Sequence, residues 1–127
     1  MKTIWISGAS TGIGKAITFE ALSRGFRVVA TSRNPENLAG LSRVAGEWDL
    51  VTAVCDVSEI ESVRSFFSGT LENEAPDILI NCAGVTTFKD AAITPIEEVD
   101  AIIRTNLLGS VYAIQTILPS MISRKSG

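Results

Sequence analysis

Three glycines with the spacing G-x-x-x-G-x-G follow a short apolar run, Ile4-Trp5-Ile6, and begin a segment with helical periodicity. Gly8 permits a sharp turn, Gly12 removes a side chain where a phosphate would approach, and Gly14 lets the helix pack against the strand. The N-terminus of that helix offers N–H groups and a positive dipole end to an anion. The spacing thus favours a dinucleotide pyrophosphate, and an ordinary tight turn is the alternative. The candidate cofactor-binding residues of this turn are Gly8, Ser10, Thr11, Gly12, Ile13 and Gly14.

A basic side chain ends the second apolar run, where many dinucleotide-binding chains place a carboxylate that holds the ribose 2′-hydroxyl. The residues here are Thr31, Ser32 and Arg33, with no acid among them. A guanidinium beside two hydroxyl groups suits a 2′-phosphate. The alternative is a solvated arginine without a ligand. We expect these three residues to bind a cofactor that is NADP(H) rather than NAD(H).

Asp56 follows the third apolar run, and Asn81 ends the fourth. If these runs are parallel strands, both residues lie at the carboxyl ends, where ligands bind in such folds. Asp56, which precedes Val57, is a candidate acceptor for the adenine amino group; equally, it is a carboxylate that begins a helix. Ala83 and Gly84 are small enough to leave room for a ribose and a nicotinamide, or they form a plain turn.

Asn106 lies among apolar neighbours in a long helical pattern. An amide on the inward face of a helix needs hydrogen-bond partners. Asn106 is therefore either a satisfied structural amide or part of a proton path.

Strand and helix patterns alternate along the whole chain. The strand runs are continuously apolar, which is typical of strands covered by helices on both faces. We predict strands over residues 2–7, 26–31, 50–55 and 77–81. We also predict helices over residues 12–24 and 34–46, and two further helices that begin at residues 58 and 94. Four β-α units with right-handed crossovers give an α/β fold, a Rossmann-like doubly wound parallel sheet, in one domain over residues 1–127.

Hydroxyl residues and helical spacing also predict how the helices begin and pack. Ser58 and Thr94 each stand three residues before a glutamate, which predicts two capping boxes. Helical spacing also predicts which residues three of the helices bury. For the helix from residue 12 these are Ile13, Ala16, Ile17 and Ala21, and for the helix from residue 58 they are Ile60, Val63, Phe67 and Leu71. For the helix from residue 94 they are Val99, Ile103, Ser110, Val111, Ile114 and Leu118. Pro119 is a candidate kink in the last of them.

Composition narrows the function classes. The chain has 127 residues, enough for one small domain, and its net charge of −3 argues against nucleic acid or an anionic membrane as a partner. It has no histidine, which excludes a histidine-based triad or a histidine-ligated metal site. Cys55 and Cys82 are expected to be free thiols, which fits a cytoplasmic protein. The apolar residues 107–122 are expected to be too short and too polar to span a membrane, and no signal peptide is evident.

In this order the motifs resemble the short-chain dehydrogenase/reductase family, over essentially the whole chain. The resemblance rests on the glycine pattern and on Asp56-Val57, Asn81-Cys82-Ala83-Gly84 and Arg104-Thr105-Asn106. It implies that the Asn81 segment lines the cofactor cleft, that Arg33 goes with NADP(H), and that Asn106 holds a water in a catalytic proton relay. Ser7 stands where the family usually has threonine, and Cys82 replaces the second asparagine of its N-N-A-G pattern.

The resemblance also shows which groups this chain lacks. The family's reaction uses a serine, and a tyrosine followed four residues later by a lysine that makes the phenol a usable base at neutral pH. Tyr112, the only tyrosine, is followed at that distance by Thr116 and is expected to pack within its helix.

We therefore expect the amino-terminal, cofactor-binding half of an oxidoreductase, incomplete at its C-terminus and inactive alone. Its fourth strand would be an open edge. The whole enzyme would transfer a hydride between its cofactor and a small carbonyl or alcohol substrate, and would be a homo-oligomer. A nucleotide-binding module without catalysis and a truncated interaction product are the alternatives.

Overall fold

A computed structural model describes residues 1–127, and a four-stranded parallel sheet forms its centre. The strands are β1 (Thr3–Ser7), β2 (Arg27–Ser32), β3 (Leu50–Val54) and β4 (Ile78–Asn81). Their order across the sheet is β3-β2-β1-β4. The predicted doubly wound parallel sheet is confirmed, and the fourth strand is an edge, as expected.

Helices connect the strands and cover both faces of the sheet. They are α1 (Gly12–Ser23), α2 (Pro35–Ala45), α3 (Ile60–Gly69), α4 (Ile96–Ile103) and α5 (Gly109–Arg124), and a π-helical turn (Arg104–Leu108) joins the last two. Asn34 caps α2, because its Oδ1 accepts hydrogen bonds from the N–H groups of Glu36 and Asn37. Pro35 occupies the first helical position, as predicted, where an N–H has no partner within the helix.

Side chains alternate along β1 and divide the core between the two faces of the sheet. Ile4 and Ile6 lie in a cluster with residues of α1 and α2, which are Ala21, Leu22, Leu41 and Ala45. Trp5 lies in the cluster on the opposite face, with residues of α3 and α5, which are Val63, Phe66, Ala113 and Ile117. Both faces are therefore covered, as the continuously apolar strands indicate.

The strand register brings the carboxyl ends of the strands together. Ser7, the last residue of β1, lies opposite Thr31 of β2 and Asn81 of β4, and Thr31 lies opposite Ala53 of β3. Parallel strands in this register end at one edge of the sheet. The turn after β1 is thus surrounded by the segments that follow the other strands.

Neither of the two predicted capping boxes forms. Ser58 donates its hydroxyl hydrogen to Oδ1 of Asp56, and Glu59 becomes the residue before α3, without a side-chain cap. Thr94 donates its hydroxyl hydrogen to the carbonyl oxygen of Asp90 over 2.9 Å, and α4 also lacks a side-chain cap. Both hydroxyls find an acceptor in the preceding turn, which competes with the helix N-terminus for them.

The inward face predicted for the last helix is wrong. Most of the residues predicted to be buried are 36–50 % exposed, namely Val99, Ile103, Val111, Ile114 and Leu118. The buried residues are instead Thr105, Gly109, Ala113 and Ile117. This helix carries apolar residues on both sides, so periodicity could not select one, and the π turn shifts the phase of everything after it.

Smaller corrections apply to α1 and α3. The buried residues of α1 are Gly14, Thr18, Ala21 and Leu22, whereas Ile13 and Ala16 are exposed. A threonine can be buried there because its hydroxyl donates to the carbonyl oxygen of Gly14 over 2.9 Å. Val63 of α3 and Leu71 after it are buried as predicted, whereas Phe67 is only partly buried and its neighbour Phe66 is buried instead.

The segment from α4 to α5 forms one continuous helix over Ile96–Arg124, 29 residues long. By length and composition alone it could cross a membrane, contrary to the expectation drawn from residues 107–122. This is weak support for a membrane span, since the core helix of a soluble protein meets the same criterion. Ala113 and Ile117 pack one side of the helix onto the sheet, and the helix continues through Pro119 to Arg124.

Gly109 is where the last helix comes very close to the segment after β3, and its substitution tests this packing. A Cβ at Gly109 would stand 2.7 Å from Cγ2 of Val57, a short and stiff side chain. We expect Gly109→Ala to lower the free energy of unfolding by about 1–3 kcal/mol, the usual cost of overpacking, as measured by urea denaturation.

Gly40→Ala is the matched control, because Gly40 also lies in a helix and its added Cβ would meet no atom within 4 Å beyond its neighbours in that helix. We expect this control to raise the free energy of unfolding by about 0.5–1 kcal/mol. A Gly109→Ala variant as stable as the wild-type protein would contradict the tight contact.

Candidate functional site

A cleft of about 280 Å³ lies at the carboxyl edge of the sheet, where the glycine turn meets the segments after β2, β3 and β4. Its lining consists of Gly8, Ser10, Thr11, Gly12, Ile13, Gly14, Ser32, Arg33, Cys55, Val57, Cys82, Ala83, Gly84 and Thr105. The lining includes all the predicted cofactor-binding residues except Thr31, Asp56 and Asn81. The topology therefore gathers residues that are far apart in the sequence around one opening.

Two glycines of the turn, Gly8 and Gly14, are required by the packing of the backbone, whether or not a ligand binds. Gly8 has φ +66°, and a Cβ on it would stand 2.6 Å from the backbone N and Cα of Ala83. A Cβ on Gly14 would stand 2.2 Å from the carbonyl oxygen of Gly8. Contacts this short exclude any side chain, so these glycines let α1, the end of β1 and the segment after β4 pack together.

Gly12 differs from the other two glycines because it faces open space. Its φ is +53°, and beyond its chain neighbours and the backbone of its own helix no atom lies within 4 Å of the position that a Cβ would take. The space that a side chain would fill is thus left free at the mouth of the cleft, at the first residue of α1. This is the geometry needed for a phosphate to approach the backbone, and the residues present fit a dinucleotide pyrophosphate.

The N-terminus of α1 has no protein group that would satisfy or neutralise it. Thr11, the residue before the helix, forms no side-chain hydrogen bond to it, and no acidic residue lies in the first turn. The α2 helix, in contrast, is capped by Asn34 and carries Glu36 in its first turn. The first N–H groups of α1 and its positive dipole end remain available to an anion in the cleft.

Hydroxyl groups join the glycine turn to the end of β2. The Oγ atoms of Ser10 and Ser32 lie 2.9 Å apart in a hydrogen bond, and Ser32 Oγ also accepts the N–H of Asn34. Arg33 is exposed, lines the cleft and forms no hydrogen bond or ion pair. It is the only charged residue of the lining, so the cleft has a positive character with its cation unpaired.

Thr31 supports the cleft from below and does not line it. Its side chain is completely buried, and its hydroxyl oxygen accepts a hydrogen bond of 2.9 Å from the indole Nε1 of Trp5. Its carbonyl oxygen accepts the N–H of Ala9 over 3.1 Å. Thr31 thus holds the glycine turn through its backbone, and its contact with the cofactor stays a prediction that this position below the cleft does not support.

Asp56 forms the hydrogen bonds expected of a carboxylate that begins a helix, and its role as an acceptor for the adenine amino group stays a prediction. Its Oδ1 accepts both the N–H of Ser58 at 3.0 Å and the Ser58 hydroxyl at 2.7 Å, which closes the turn before α3. The backbone N–H of Asp56 donates to Ser62 Oγ over 2.9 Å. Its neighbour Val57 does line the cleft, so the wall after β3 is apolar.

The segment after β4 contributes Ala83 and Gly84 to the cleft, whereas Asn81 lies exposed at the open edge of the sheet. Asn81 lines a separate groove beside α5, so its predicted place in the cofactor cleft is not observed. Ser7 connects this segment to β1. Its carbonyl oxygen accepts the N–H of Cys82, and its hydroxyl oxygen accepts the N–H of Ala83.

Two free thiols, those of Cys55 and Cys82, line the cleft, although the sequence analysis did not predict them as site residues. Burial raises the pKa of Cys55 to about 11, against a smaller opposite effect of its hydrogen bond with Ser62. Burial also raises the pKa of Cys82. Both thiols are therefore protonated at neutral pH and supply no nucleophile. Their positions directly after β3 and β4 were the available signal that they would border the site.

Asn106 lies in the π turn and binds the segment after β4 through its whole amide. Its Oδ1 accepts the N–H of Val85 over 2.8 Å, and its Nδ2 donates to the carbonyl oxygen of Val85 over 2.8 Å. The same turn buries Thr105, which lines the cleft and which sequence reasoning missed. π turns widen a helix locally and recur at functional sites. Each end of the amide still has hydrogen-bonding capacity for one further partner.

The family model for short chain dehydrogenases matches residues 2–127 of this chain. Among curated relatives, an uncharacterized oxidoreductase of Staphylococcus saprophyticus is 33 % identical, over 99 % of this chain and 56 % of its own length. An NADPH-dependent pterin aldehyde reductase of Arabidopsis thaliana is 31 % identical, over 99 % of this chain and 53 % of its own length. This chain thus spans about half the length of the curated relatives it matches.

A solved structure gives the same picture. A metagenomic short-chain oxidoreductase in complex with NADP superimposes with a TM-score of 0.90 at 34 % identity, over 99 % of this chain and 59 % of that one. The family match covers residues 2–127, and the fold superimposes on that of the solved structure over 99 % of this chain. The chain therefore belongs to the short-chain dehydrogenase/reductase family.

Proposed function

We propose that this chain is the cofactor-binding half of an NADP(H)-dependent oxidoreductase. The observation that carries the proposal is the uncapped N-terminus of α1, which faces the open space at Gly12, with Arg33 as the one charged residue of the cleft. Backbone N–H groups and a guanidinium are the donors that phosphates prefer. The Arabidopsis relative named as NADPH-dependent and the metagenomic structure with NADP support this choice of cofactor.

Each part of the cleft has a role in this proposal. The N-terminus of α1 and the backbone at Gly12 hold the pyrophosphate, while Arg33, Ser10 and Ser32 hold the 2′-phosphate of the adenosine ribose. Val57, Ala83 and Gly84 give small apolar walls against the adenosine and the nicotinamide ribose. NADP(H), when bound, supplies or accepts the hydride that passes to or from a carbonyl or alcohol carbon.

Proton transfer requires groups that this chain does not place in the cleft. Tyr112 packs against the core cluster around Trp5, and Thr116 stands four residues later and donates its hydroxyl hydrogen to the Tyr112 carbonyl. No phenol or ammonium group lines the cleft. We infer that the chain binds the cofactor without turning over a substrate, and that a longer protein would supply the proton donor and act on a small carbonyl or alcohol.

The same observation favours a second candidate, a nucleotide-binding module without catalysis. Both candidates bind NADPH, so titration in a calorimeter tests the site that they share. NADPH oxidation by the longer protein that contains this chain, with a panel of small aldehydes and ketones, then separates them, since an oxidoreductase oxidises NADPH and a binding module does not. A folded protein that binds neither NADPH nor NADH would eliminate both candidates.

Arg33→Ala tests the contact with the 2′-phosphate. We expect NADPH affinity to fall about 10- to 100-fold, as is typical for the loss of a charge-assisted hydrogen bond. NADH lacks the 2′-phosphate, so its affinity should change by less than about twofold. Calorimetric titration of each cofactor measures both dissociation constants.

Arg64→Ala is the control for this experiment, because it removes the same charge from an exposed helix position outside the cleft, where Arg64 pairs with Glu61. It should leave both affinities unchanged. Equal losses for NADPH and NADH in Arg33→Ala would show that Arg33 does not read the 2′-phosphate.

Asn106→Ala tests the clamp on the segment after β4, by which we mean the two hydrogen bonds between the Asn106 amide and the backbone of Val85. The substitution removes both hydrogen bonds to Val85, so the Val85 amide should exchange its hydrogen faster, by about tenfold or more. Hydrogen exchange followed by NMR measures this change at a single amide. The Asn106 proton-relay role remains a separate proposal, tested by the pH profile of the longer enzyme.

Gln115→Ala is the matched control, since Gln115 is an exposed amide of the same helix with no hydrogen bond from its side chain. Exchange at Val85 should be unaffected by it. An unchanged exchange rate at Val85 in Asn106→Ala would mean that the clamp does not hold the segment in solution.

A further inference from the structure

Trp5 is an unusual residue to find in the middle of a central strand beneath a ligand cleft. Its side chain is completely buried, and its ring lies with its centroid 4.7 Å from that of Phe66. A buried indole N–H needs an acceptor, and leaving it unpaired is costly. The Trp5 N–H donates to the hydroxyl oxygen of Thr31 over 2.9 Å, so its one polar group is committed to the neighbouring strand.

Thr31 is the point at which the glycine turn is fastened to β2. Its carbonyl oxygen accepts the N–H of Ala9, the residue directly after Gly8. The next residue, Ser32, binds the Ser10 hydroxyl over 2.9 Å. Two consecutive residues of the turn are thus held by two consecutive residues of β2, and Trp5 fixes the first of these from within the core.

The turn depends on such external support because its own backbone is permissive. Gly8 and Gly12 both have positive φ, and glycine has more accessible conformations than any other residue. Thr11 provides no side-chain cap that would fix the beginning of α1. The bond between Ala9 and Thr31 therefore adds to the close packing of Gly8 and Gly14 in positioning the N–H groups aimed at the cleft.

We propose that Trp5 is a positioning residue for dinucleotide binding, which acts through Thr31 and Ala9 on the glycine turn without touching the ligand. This inference rests on the proposed function of the same cleft. It assigns to one core side chain an effect on affinity that is separate from its contribution to stability. Since the turn would hold the pyrophosphate, which NADPH and NADH share, Trp5 sets the affinity for both cofactors equally.

Trp5→Phe is the direct test, because phenylalanine retains an aromatic ring against Phe66 and removes the N–H donor. We expect the dissociation constants of NADPH and NADH to rise by the same factor, about three- to tenfold, the range for one hydrogen bond. Hydrogen exchange at the Ala9 amide should become faster in the same variant. Calorimetry and NMR on the whole chain provide the two measurements.

Thr31→Val is a second variant that removes the same bond from its other side, together with the longer hydrogen bond of 3.5 Å that the Thr31 hydroxyl donates to the carbonyl oxygen of Ile6. It should weaken both cofactors as well, and the double variant Trp5→Phe/Thr31→Val should lose less than the two single losses combined, since both single variants remove the bond between Trp5 and Thr31. This pair also retains a test if one of the two single variants does not fold.

Phe66→Leu is the control for a merely structural effect. It disturbs the same aromatic contact and lowers stability, but leaves the bond between Trp5 and Thr31 in place, so cofactor affinity and Ala9 exchange should not change. If the wild-type chain binds neither cofactor, the proposed function itself fails. If the wild-type chain binds them and Trp5→Phe binds equally well, or Phe66→Leu is weakened as much, the positioning role is overturned.

Discussion

The close approach of three backbone segments around the glycine turn is the constraint on which the carboxyl edge of the sheet depends. A Cβ on Gly14 would stand 2.2 Å from the Gly8 carbonyl oxygen, and one on Gly8 would stand 2.6 Å from the backbone of Ala83. Only hydrogen atoms fit in those places, so α1, the end of β1 and the segment after β4 form one packed unit. That unit aims the N-terminus of α1 across the cleft.

Polar groups around this unit fall into two sets with different consequences. Ser7, Ser10, Ser32, Thr31 and Asp56 all bind other protein groups, which fixes the loops in place before any ligand arrives. The α1 N-terminus and Arg33 have no such partners. Since the ordering of loops is already complete, a phosphate ligand would gain the interactions of the second set without the entropic cost of arranging the first.

The long helix after β4 has one buried side and one exposed side, and both contain apolar residues. Its sheet side is made mostly of small residues, and Gly109 allows it to lie against Val57. Its other side carries exposed apolar residues, of which Ile114 and Leu118 lie in a groove next to the open edge of β4. Apolar surface of this extent and an unpaired strand edge are features that folded domains normally cover with further protein.

The sequence by itself determined the alternation of strands and helices, the parallel sheet and the glycine turn. These follow from local rules, since apolar runs, glycine spacing and Pro35 act through residues close to them in the chain. The sequence also predicted that Arg33 lines the cleft, because the position of a charged side chain after a strand can be inferred from the local sequence alone.

Only the tertiary structure decided which side of the last helix is buried and which polar residues reach the cleft. Both sides of that helix are apolar, so the choice depends on the close contact at Gly109 and on the π turn, neither of which local periodicity encodes. Thr31 lies below the cleft because its hydroxyl oxygen accepts the hydrogen bond of Trp5, a residue 26 positions away in the sequence. Which partner a side chain meets across such a distance is decided by packing, and residue type and spacing do not encode it.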